Sequence, residues 1–323
     1  MNRKKLPFAE VKEKIDKADS ITILSHLNPD ADALGTALGI YALLTQDKNK
    51  RIEVVNASQS LPLYLNFLPN FKKIKHHMDY KNSLIISCDC ASIDRLGFDL
   101  EGREIINIDH HQSNTNYGNL NIIIAQYASS SQVAFRLFET LFTIDRDTAT
   151  CFYAALLSDT RYFTTSSVNE EVFLVAKSLV DLGAKPDFIA KNFTQKRPLS
   201  SLRILEKVLA SLELQKEAKI AILIASKEDI KATGATVADM EGIVDYAKSL
   251  ATVEIAIFAM ELEDGIRISL RSKGEDISLV ALEFGGGGHK IAAGFTMKQC
   301  GLQTSIDTIL QKIYELGLLD EKK

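Results

Sequence analysis

Histidine and aspartate residues occur in two short clusters whose composition is typical of a metal site. The first cluster runs from His26 to Asp32, and the second is Asp109-His110-His111. Asp89 and Asp159 add two single carboxylates. Each of these segments follows an apolar run, and open α/β folds gather their binding groups where such buried segments end. The repeated pattern suggests one metal centre.

In the first cluster, a structural role competes with metal binding. Asn28, Asp30 and Asp32 all suit a tight turn, and a helix that begins near Ala33 would use Asp32 as its N-cap. The imidazole of His26 favours metal binding, because Mn²⁺, Fe²⁺ and Co²⁺ accept mixed nitrogen and oxygen ligands. Asp30 and Asp32 are two residues apart and can point to different ions.

The remaining candidate ligands could also have structural roles instead of metal binding. Asp89 alone would suit a loop cap after a strand, and His111 could begin a polar loop. Asp109 is harder to explain in this way, since a charged acid beside Ile108 must be paired or metal-bound if it is buried. Asp159 ends a helical pattern, where a carboxylate opposes the helix dipole. A bound cation would remove that conflict.

Cys88 and Cys90 flank Asp89 and could in principle bind a soft metal. The chain has 4 cysteines, and no second C-x-C or C-x-x-C completes a tetrahedral set. Their irregular spacing does not indicate a disulfide scaffold. We interpret Cys88 and Cys90 as small side chains at the buried end of a strand.

The elements that must position these residues alternate between β-branched runs and helical periods. Continuous apolarity, which is typical of buried parallel strands, predicts strands at Ile21–Leu24, Ile52–Asn56, Leu84–Cys88 and Glu104–Ile108. Apolar residues at three-to-four spacing predict helices at Ala33–Leu44, Ser130–Leu141, Thr148–Leu157 and Glu171–Leu182, the last of them ended by Gly183. This order predicts an α/β fold with a doubly wound, mostly parallel sheet.

We predict two domains joined by a basic linker. Residues 1–190 would form the α/β domain with the metal site, 191–203 the linker, and 204–323 a smaller α+β domain across a cleft. The linker prediction rests on several positive charges, no acid and Pro198. Beyond it, strands are predicted at Ile220–Ala225, Val253–Met260 and Ile266–Leu270. A hairpin at Glu261–Gly265 implies a mixed sheet.

The second domain contains a run of four glycines, Gly285 to Gly288, followed by His289. This run could be a flexible loop or a turn whose exposed amides approach a phosphate without interference from a Cβ atom. It does not have the spacing of a dinucleotide-binding fingerprint. Arg271, at the predicted end of a strand, is either a surface charge or an anion-binding group.

Length and composition limit the function classes. The chain has 323 residues, 46% of them hydrophobic, and a net charge of −4, so it can bury two cores. A slightly acidic protein has no global attraction for long polyanions, and short nucleotides therefore fit better than long duplex DNA. The N-terminus has no apolar signal region, and no apolar run approaches about 18 residues. We predict a cytoplasmic protein without a membrane partner.

Taken in order, these motifs resemble the signature of the DHH phosphoesterases. The residues that carry the resemblance are His26, Asn28, Pro29, Asp30, Asp32, Asp89, Asp109-His110-His111, Ser158-Asp159-Thr160 and Gly285–His289. The two-domain length is similar to that of the bacterial NrnA-like branch. Members of that branch are oligoribonucleases with 3′-phosphoadenosine-5′-phosphate (pAp) phosphatase activity and a C-terminal DHH-associated domain.

The resemblance implies a two-metal centre, usually with Mn²⁺ and alternatively with Mg²⁺, Co²⁺ or Fe²⁺. One ion would be held by His26, Asp30 and Asp89, and the other by Asp32, Asp89, His110 and Asp159. Asp89 would bridge the two ions. His111 would lie beside the scissile phosphate, and Asp109 would orient an imidazole. The implied substrate-binding residues are Arg271, Ser272, Gly286, Gly287, Gly288 and His289.

The activity implied by the resemblance is hydrolysis of short RNA and dinucleotides to nucleoside 5′-monophosphates, and of pAp to AMP. Two cations about 3.5–4 Å apart lower the pKa of a shared water, and the bridging hydroxide attacks phosphorus. The close alternative is a phosphodiesterase for cyclic dinucleotides such as c-di-AMP. A processive exonuclease, a manganese pyrophosphatase and a non-catalytic nucleotide sensor are less favoured. A sensor should lack a ligand, whereas every ligand position here is filled. The sequence does not determine the oligomeric state, and a homodimer is one of the alternatives.

Overall fold

The structure, a computed structural model, describes residues 6–298 and 300–319. The chain divides into two compact units between Lys196 and Arg197. The outer ends of the two predicted domains, residues 1 and 323, lie outside the described residues. No helix in the described ranges is long and apolar enough to cross a membrane.

The first unit is built on a parallel sheet. Its strands are β1 (Ser20–Ser25), β2 (Arg51–Val55), β3 (Leu84–Cys88), β4 (Ile105–Asp109) and β5 (Leu120–Ile123). Its α-helices are α1 (Phe8–Lys17), α2 (Ala31–Leu44), α3 (Ser130–Phe138), α4 (Arg146–Asp159), α5 (Glu170–Asp181) and α6 (Pro186–Thr194). Short 3₁₀ helices occupy Leu63–Leu65, Phe71–Lys73 and Ile93–Leu96.

The five strands are all parallel and lie in the order β2-β1-β3-β4-β5. Side chains such as Ile23 and Ile86 pack against the α-helices on one face of the sheet. Leu24 and Ile85, on alternate positions of the same strands, pack with Leu96 on the other face. Burial on both faces explains the continuous apolar runs, and the predicted α/β fold is confirmed.

Some predicted boundaries in the first unit are wrong. Helix α2 begins at Ala31, and its N-cap is Asp30, whose side chain accepts from the main-chain N of Ala33 at 3.0 Å. Asp32, which would cap a helix that began at Ala33, lies instead in the first helical turn. Helix α3 ends at Phe138 instead of reaching Leu141. Strand β5 was not predicted at all, because a four-residue edge strand has little apolar pattern.

The segment predicted as a linker, 191–203, is mostly helical. Helix α6 extends to Thr194, and α7 begins at Leu199, so only 195–198 lie between them. Ile189 of α6 is buried in the first unit, while Ile204 and Val208 of α7 are buried in the second. All four basic residues of the segment are exposed: Lys191 and Arg203 lie on the helices, and Lys196 and Arg197 lie between them.

The second unit is built on a mixed six-stranded sheet in the order β10-β11-β9-β8-β7-β6. Its strands are β6 (Glu213–Gln215), β7 (Ile220–Ala225), β8 (Ile255–Leu262), β9 (Gly265–Ser272), β10 (Gly287–His289) and β11 (Ala292–Met297). Its helices are α7 (Leu199–Ala210), α8 (Lys227–Thr233), α9 (Ile243–Lys248), α10 (Ser278–Glu283) and α11 (Leu302–Glu315), with a 3₁₀ helix at Val237–Met240.

Strand β8 shows how this sheet separates two cores. Ile255 and Ile257 pack on one face, while Ala256 and Phe258 pack on the other. Strands β7 and β8 are parallel, and the other pairs are antiparallel. The predicted hairpin joins β8 to β9, with Leu262 opposite Gly265. The mixed sheet is therefore confirmed.

Candidate metal centre

The candidate site lies at the carboxyl edge of the parallel sheet. His26 follows β1, Asp89 follows β3, and Asp109-His110-His111 ends and follows β4. These three strands are neighbours and run in the same direction, so their carboxyl ends meet at one edge. The chain also reverses its direction of winding between β1 and β3, which is where open α/β sheets bind ligands.

Two helices bring the remaining carboxylates to this edge. Asp30 and Asp32 lie at the start of α2, and Asp159 is the last residue of α4. The two helices pack very closely, because a Cβ atom on Gly35 would lie 2.8 Å from both the Cβ of Ala155 and the carbonyl oxygen of Cys151. The absence of a side chain at this position allows Asp32 and Asp159 to approach the same imidazole.

Three groups of side chains place potential ligand atoms within 4.8 Å of one another in the described residues. The groups are His26 with Asp30 and Asp89, Asp32 with His110 and Asp159, and Asp89 with His110 and His111. The structure thus brings together all six side chains predicted as metal ligands. Asp89 and His110 each belong to two of the groups.

Asp89 lies between the two sides of the cluster. Its Oδ2 is 3.8 Å from Nε2 of His26, whereas its Oδ1 is 3.7 Å from Nε2 of His110 and 3.5 Å from Nδ1 of His111. Asp89 has a positive φ of 55°, a left-handed conformation that aspartate tolerates better than most residues. The turn at the end of β3 therefore directs one carboxylate oxygen towards each side.

Asp109 is paired with protein donors instead of facing the cluster. Its Oδ1 accepts from the main-chain N of His110 at 2.7 Å and lies 2.7 Å from Nδ1 of His111. Its Oδ2 accepts from Nδ2 of Asn114 at 2.6 Å. These donors outweigh burial and lower the Asp109 pKa to about 2. An ionised Asp109 can orient His111, as the resemblance implies.

The ring contacts indicate which imidazole nitrogens face the carboxylates. Nδ1 of His26 is 2.8 Å from the carbonyl oxygen of Leu27, and Nδ1 of His110 is 3.2 Å from that of Tyr127. A hydrogen on Nδ1 that donates to a carbonyl leaves a lone pair on Nε2. In His110 this Nε2 is 3.4 Å from Oδ2 of Asp159 and 3.8 Å from Oδ2 of Asp32. For His110 these contacts favour the tautomer that metal ligation needs, whereas Nδ1 of His26 also lies 3.2 Å from the Arg95 guanidinium, a competing donor.

The crowded carboxylates are poorly tolerated as anions in the metal-free protein. Burial, reinforced by neighbouring acids, raises the pKa of Asp32, Asp89 and Asp159 to about 7 in each case. Burial lowers the pKa of His26, and the nearby Arg95 guanidinium lowers it further. Burial also opposes protonation of His111, but its hydrogen bond to Asp109 and the charge of Asp89 raise its pKa to about 9.

This donor set fits divalent cations. Imidazole nitrogens and carboxylate oxygens together suit Mn²⁺, Fe²⁺ or Co²⁺, and a cation would relieve the repulsion that raises the carboxyl pKa values. Asp159 keeps 34% of its side chain accessible, so ions can reach the cluster from solvent. The position of this carboxylate at the C-terminus of α4, as predicted, gives a second reason for a bound cation.

Several residues in the centre were not predicted. The Ser130 hydroxyl donates to Oδ1 of Asp89 at 2.8 Å, Thr36 donates to Oδ1 of Asp32 at 3.1 Å, and Arg95 lies 3.2 Å from Nδ1 of His26. Asn114, which donates to Asp109, was also missed. The only sequence signal was the run from Ser129 to Gln132, which is typical of a capped helix start.

In the second unit, Arg271 and His289 lie at one end of the sheet. Both pair with Ala292 of β11 from opposite sides. Arg271 donates to the Leu270 carbonyl at 2.9 Å, and its Nε is 3.8 Å from Oδ1 of Asp245. Ser272 is buried and donates to the Glu275 carbonyl at 2.5 Å, so its hydroxyl has a structural partner.

The second half of the glycine run is a strand, because Gly287–His289 form β10, while Gly285 and Gly286 precede it. A Cβ atom on Gly286 or Gly288 would collide with the main chain of β11. Gly287 faces open space. Two of the three glycines predicted to bind substrate, Gly286 and Gly288, are thus required by their close approach to β11, and only Gly287 has room beside it.

Comparisons with known proteins match a separate protein family to each of the two units. Residues 20–156 match the DHH family, N-terminal domain, and residues 218–316 match the DHHA1 domain. The chain is 28% identical to the bifunctional oligoribonuclease and PAP phosphatase NrnA of Thermus thermophilus over 91% of this chain and 89% of the relative. It is 29% identical to a probable NrnA of Streptococcus mutans, over 89% of this chain and 92% of the relative.

A solved structure shows the same architecture over both units. The crystal structure of an exopolyphosphatase-related protein from Bacteroides fragilis matches with a TM-score of 0.87 and 27% identity, covering 96% of each chain. A more distant relative, the cyclic-di-AMP phosphodiesterase PdeA of Listeria monocytogenes, is 23% identical over 89% of this chain but only 46% of its own length. The two domain matches, together with the His and Asp cluster of the first unit, make this chain a DHH/DHHA1 phosphoesterase.

Proposed function

We propose that this phosphoesterase is a Mn²⁺-dependent hydrolase of short oligoribonucleotides and pAp. The observation that supports the proposal most strongly is the position of Asp89, whose two oxygens face different groups of potential ligands. A carboxylate in that position suits a two-metal phosphoesterase. The substrate class follows the names of relatives that align with about nine-tenths of the chain.

In this proposal, one ion would be held by His26, Asp30 and Asp89, and the other by Asp32, Asp89, His110 and Asp159. When bound, the two cations would supply Lewis-acid stabilisation of the phosphoryl oxygens and acidify a water molecule. No protein nucleophile is required. The cations would also lower the raised pKa values of Asp32, Asp89 and Asp159, because a neighbouring positive charge favours the ionised form.

His111 and Asp109 have a different role in the proposal. The hydrogen bond between Nδ1 of His111 and Oδ1 of Asp109, 2.7 Å long, fixes the plane of the imidazole ring. A ring held in this way can donate a proton from Nε2 to a phosphate or leaving-group oxygen. Because Asp109 stays ionised, it favours the protonated ring. We assign His111 as a catalytic residue and Asp109 as its positioning residue.

In the second unit, we propose Arg271 and His289 as substrate-binding residues. Their shared position beside Ala292 makes them a pair of potential donors to a phosphate. Gly287 is the glycine of the run that leaves space for a ligand.

The cyclic-dinucleotide alternative is supported by the similarity to PdeA, and the sensor alternative is disfavoured because no metal-ligand position is vacant in the sequence. One product assay distinguishes the proposed hydrolase from the cyclic-dinucleotide phosphodiesterase and from the sensor. The purified protein is treated with EDTA, dialysed, and incubated with or without Mn²⁺ and one of three substrates: an RNA dinucleotide, pAp or cyclic di-AMP. RNA of two to twenty nucleotides is tested in parallel.

The proposal predicts Mn²⁺-dependent release of nucleoside 5′-monophosphate from the dinucleotide and of AMP from pAp, with kcat/KM falling beyond about five nucleotides. Faster cleavage of cyclic di-AMP would support the phosphodiesterase. Binding without product would support the sensor. Efficiency that rises with RNA length and falls steeply with salt would indicate a processive exonuclease, because many phosphate contacts release many counterions.

A further inference from the structure

The first residue of α3 contacts three carboxylates of the centre. The Ser130 hydroxyl is 2.8 Å from Oδ1 of Asp89 and 3.3 Å from Oδ1 of Asp109, and the main-chain N of Ser130 donates to Oδ2 of Asp32 at 2.7 Å. The side chain of Ser130 is completely buried. A serine with this many acidic neighbours is not explained by helix capping, since Ser129 is the residue that caps α3.

The Ser130 hydroxyl has one hydrogen, and it donates this hydrogen to Asp89. Asp89 is the nearer of the two acceptors, and Oδ1 of Asp109 already accepts from the main chain of His110 and from the ring of His111. The same Oδ1 of Asp89 is the atom that faces His110 and His111. Ser130 therefore restrains the carboxylate that faces both sides of the cluster.

We propose that Ser130 is a positioning residue of the metal centre, whose hydroxyl holds Asp89 so that one carboxylate oxygen faces each ion. This inference rests on the proposed two-metal function. Groups that hydrogen-bond to a metal ligand orient it, and their loss typically weakens metal binding or activity by about 10–100-fold. Ser130 would act through Asp89 without contacting the substrate.

The test compares Ser130→Ala with Ser131→Ala. Both substitutions remove a buried hydroxyl from the first turn of α3 and keep the main-chain N–H groups. The Ser131 hydroxyl, however, pairs with that of Ser129 at 2.7 Å. Mn²⁺ affinity of the EDTA-treated proteins is measured by isothermal titration calorimetry, and kcat and KM are measured on an RNA dinucleotide. Circular dichroism establishes that each variant is folded.

Ser130→Ala is expected to weaken Mn²⁺ binding by about 10–100-fold and to lower kcat, with KM for the dinucleotide changed by less than about threefold. Ser131→Ala should weaken Mn²⁺ binding by less than about threefold. Ser130→Thr, which keeps a hydroxyl donor, should recover most of the affinity. If Ser130→Ala does not fold, Ser130→Thr is compared with Ser130→Cys, because a thiol is a weak donor.

Equal Mn²⁺ affinity in Ser130→Ala and Ser131→Ala would overturn the inference, and so would loss of affinity in Ser130→Thr as large as in the variants without a hydroxyl. These outcomes are distinct from failure of the proposed function. If the wild-type protein binds no Mn²⁺ and releases no mononucleotide, the proposed metal centre is wrong. If the wild-type protein does both and the Ser130 variants behave like it, only the proposed role of Ser130 is wrong.

Discussion

Protonation of three carboxyl groups in the candidate centre should compete with metal binding. These groups belong to Asp32, Asp89 and Asp159. Their pKa values of about 7 mean that the three carboxyls, taken together, bind protons as the pH falls below neutral. A cation binds the ionised carboxylate, so protons must leave as the metal enters. Metal affinity should therefore fall as the pH decreases through 7.

We predict that the apparent dissociation constant for Mn²⁺ increases at least about tenfold between pH 8 and pH 6, since each displaced proton changes affinity by about tenfold per pH unit below its pKa. Calorimetric titrations in buffers of different ionisation enthalpy would measure both the affinity and the number of protons released. An affinity that is constant over this range, without proton release, would show that the carboxyls are already ionised before metal binding.

The sequence identified these potential ligands because each follows an apolar run: His26 and Asp89 follow strands that end at the edge of the sheet, and Asp159 ends helix α4. Ser130 and Asn114 could not be recognised in the same way. Their contacts with Asp89 and Asp109 connect positions 41 and 5 residues apart. Such contacts depend on how α3 and the loop after β4 fold back, and residue spacing does not contain that information.

At the scale of elements, the close packing of α2 and α4 positions Asp32 and Asp159. We predict that Gly35→Ala separates the helices, because its Cβ would lie 2.8 Å from a main-chain oxygen. Overpacking costs about 1–3 kcal/mol, and the better helix propensity of alanine offsets up to about 1 kcal/mol of this. The free energy of unfolding should fall by about 1–2 kcal/mol, and Mn²⁺ binding should weaken.

Urea denaturation and Mn²⁺ titration would measure both effects. Gly274→Ala is the control, since a Cβ atom there meets nothing within 4 Å, and its effect on stability should stay within about 0.5 kcal/mol. If Gly35→Ala matched this control in both stability and Mn²⁺ affinity, the helix contact would not position the two carboxylates.

The long central elements of each unit could be predicted because their apolar patterns are extended. The ends of elements could not, as α2 shows: Asp30 and Asp32 are equally good N-caps by sequence, and tertiary contacts of Asp32 with α3 decide between them. The glycine run left two interpretations open by sequence, a flexible loop or a phosphate-binding turn. The close contact of Gly286 and Gly288 with β11 could not be predicted, because residue spacing does not show which strands become neighbours.

At the scale of the whole molecule, the two units are expected to contribute differently to catalysis. We predict that Arg271→Ala and His289→Ala each raise KM for an RNA dinucleotide by about 10–100-fold, since a hydrogen bond to a charged group contributes about 1.5–3 kcal/mol. The value of kcat should change much less. Arg267→Ala removes an exposed arginine from the same strand, β9, and serves as the control.

Steady-state kinetics on the three variants would measure this division of roles. Lower kcat at unchanged KM in Arg271→Ala or His289→Ala would assign the second unit a part in the chemical step. A KM increase as large in Arg267→Ala would show that general surface charge, and not a defined site, is responsible.

We propose above that hydrolysis of a phosphoester bond by this protein requires metal ions bound around Asp89. It is tested most directly by the initial rate of mononucleotide release from an RNA dinucleotide, measured against Mn²⁺ concentration in EDTA-treated wild-type protein and in Asp89→Asn. An amide offers one neutral oxygen and cannot serve two cations. We predict saturable activation by Mn²⁺ in the wild type, and in the folded variant a kcat at least about 10²–10³-fold lower. Mn²⁺-independent hydrolysis, or near wild-type turnover by Asp89→Asn, would contradict the claim.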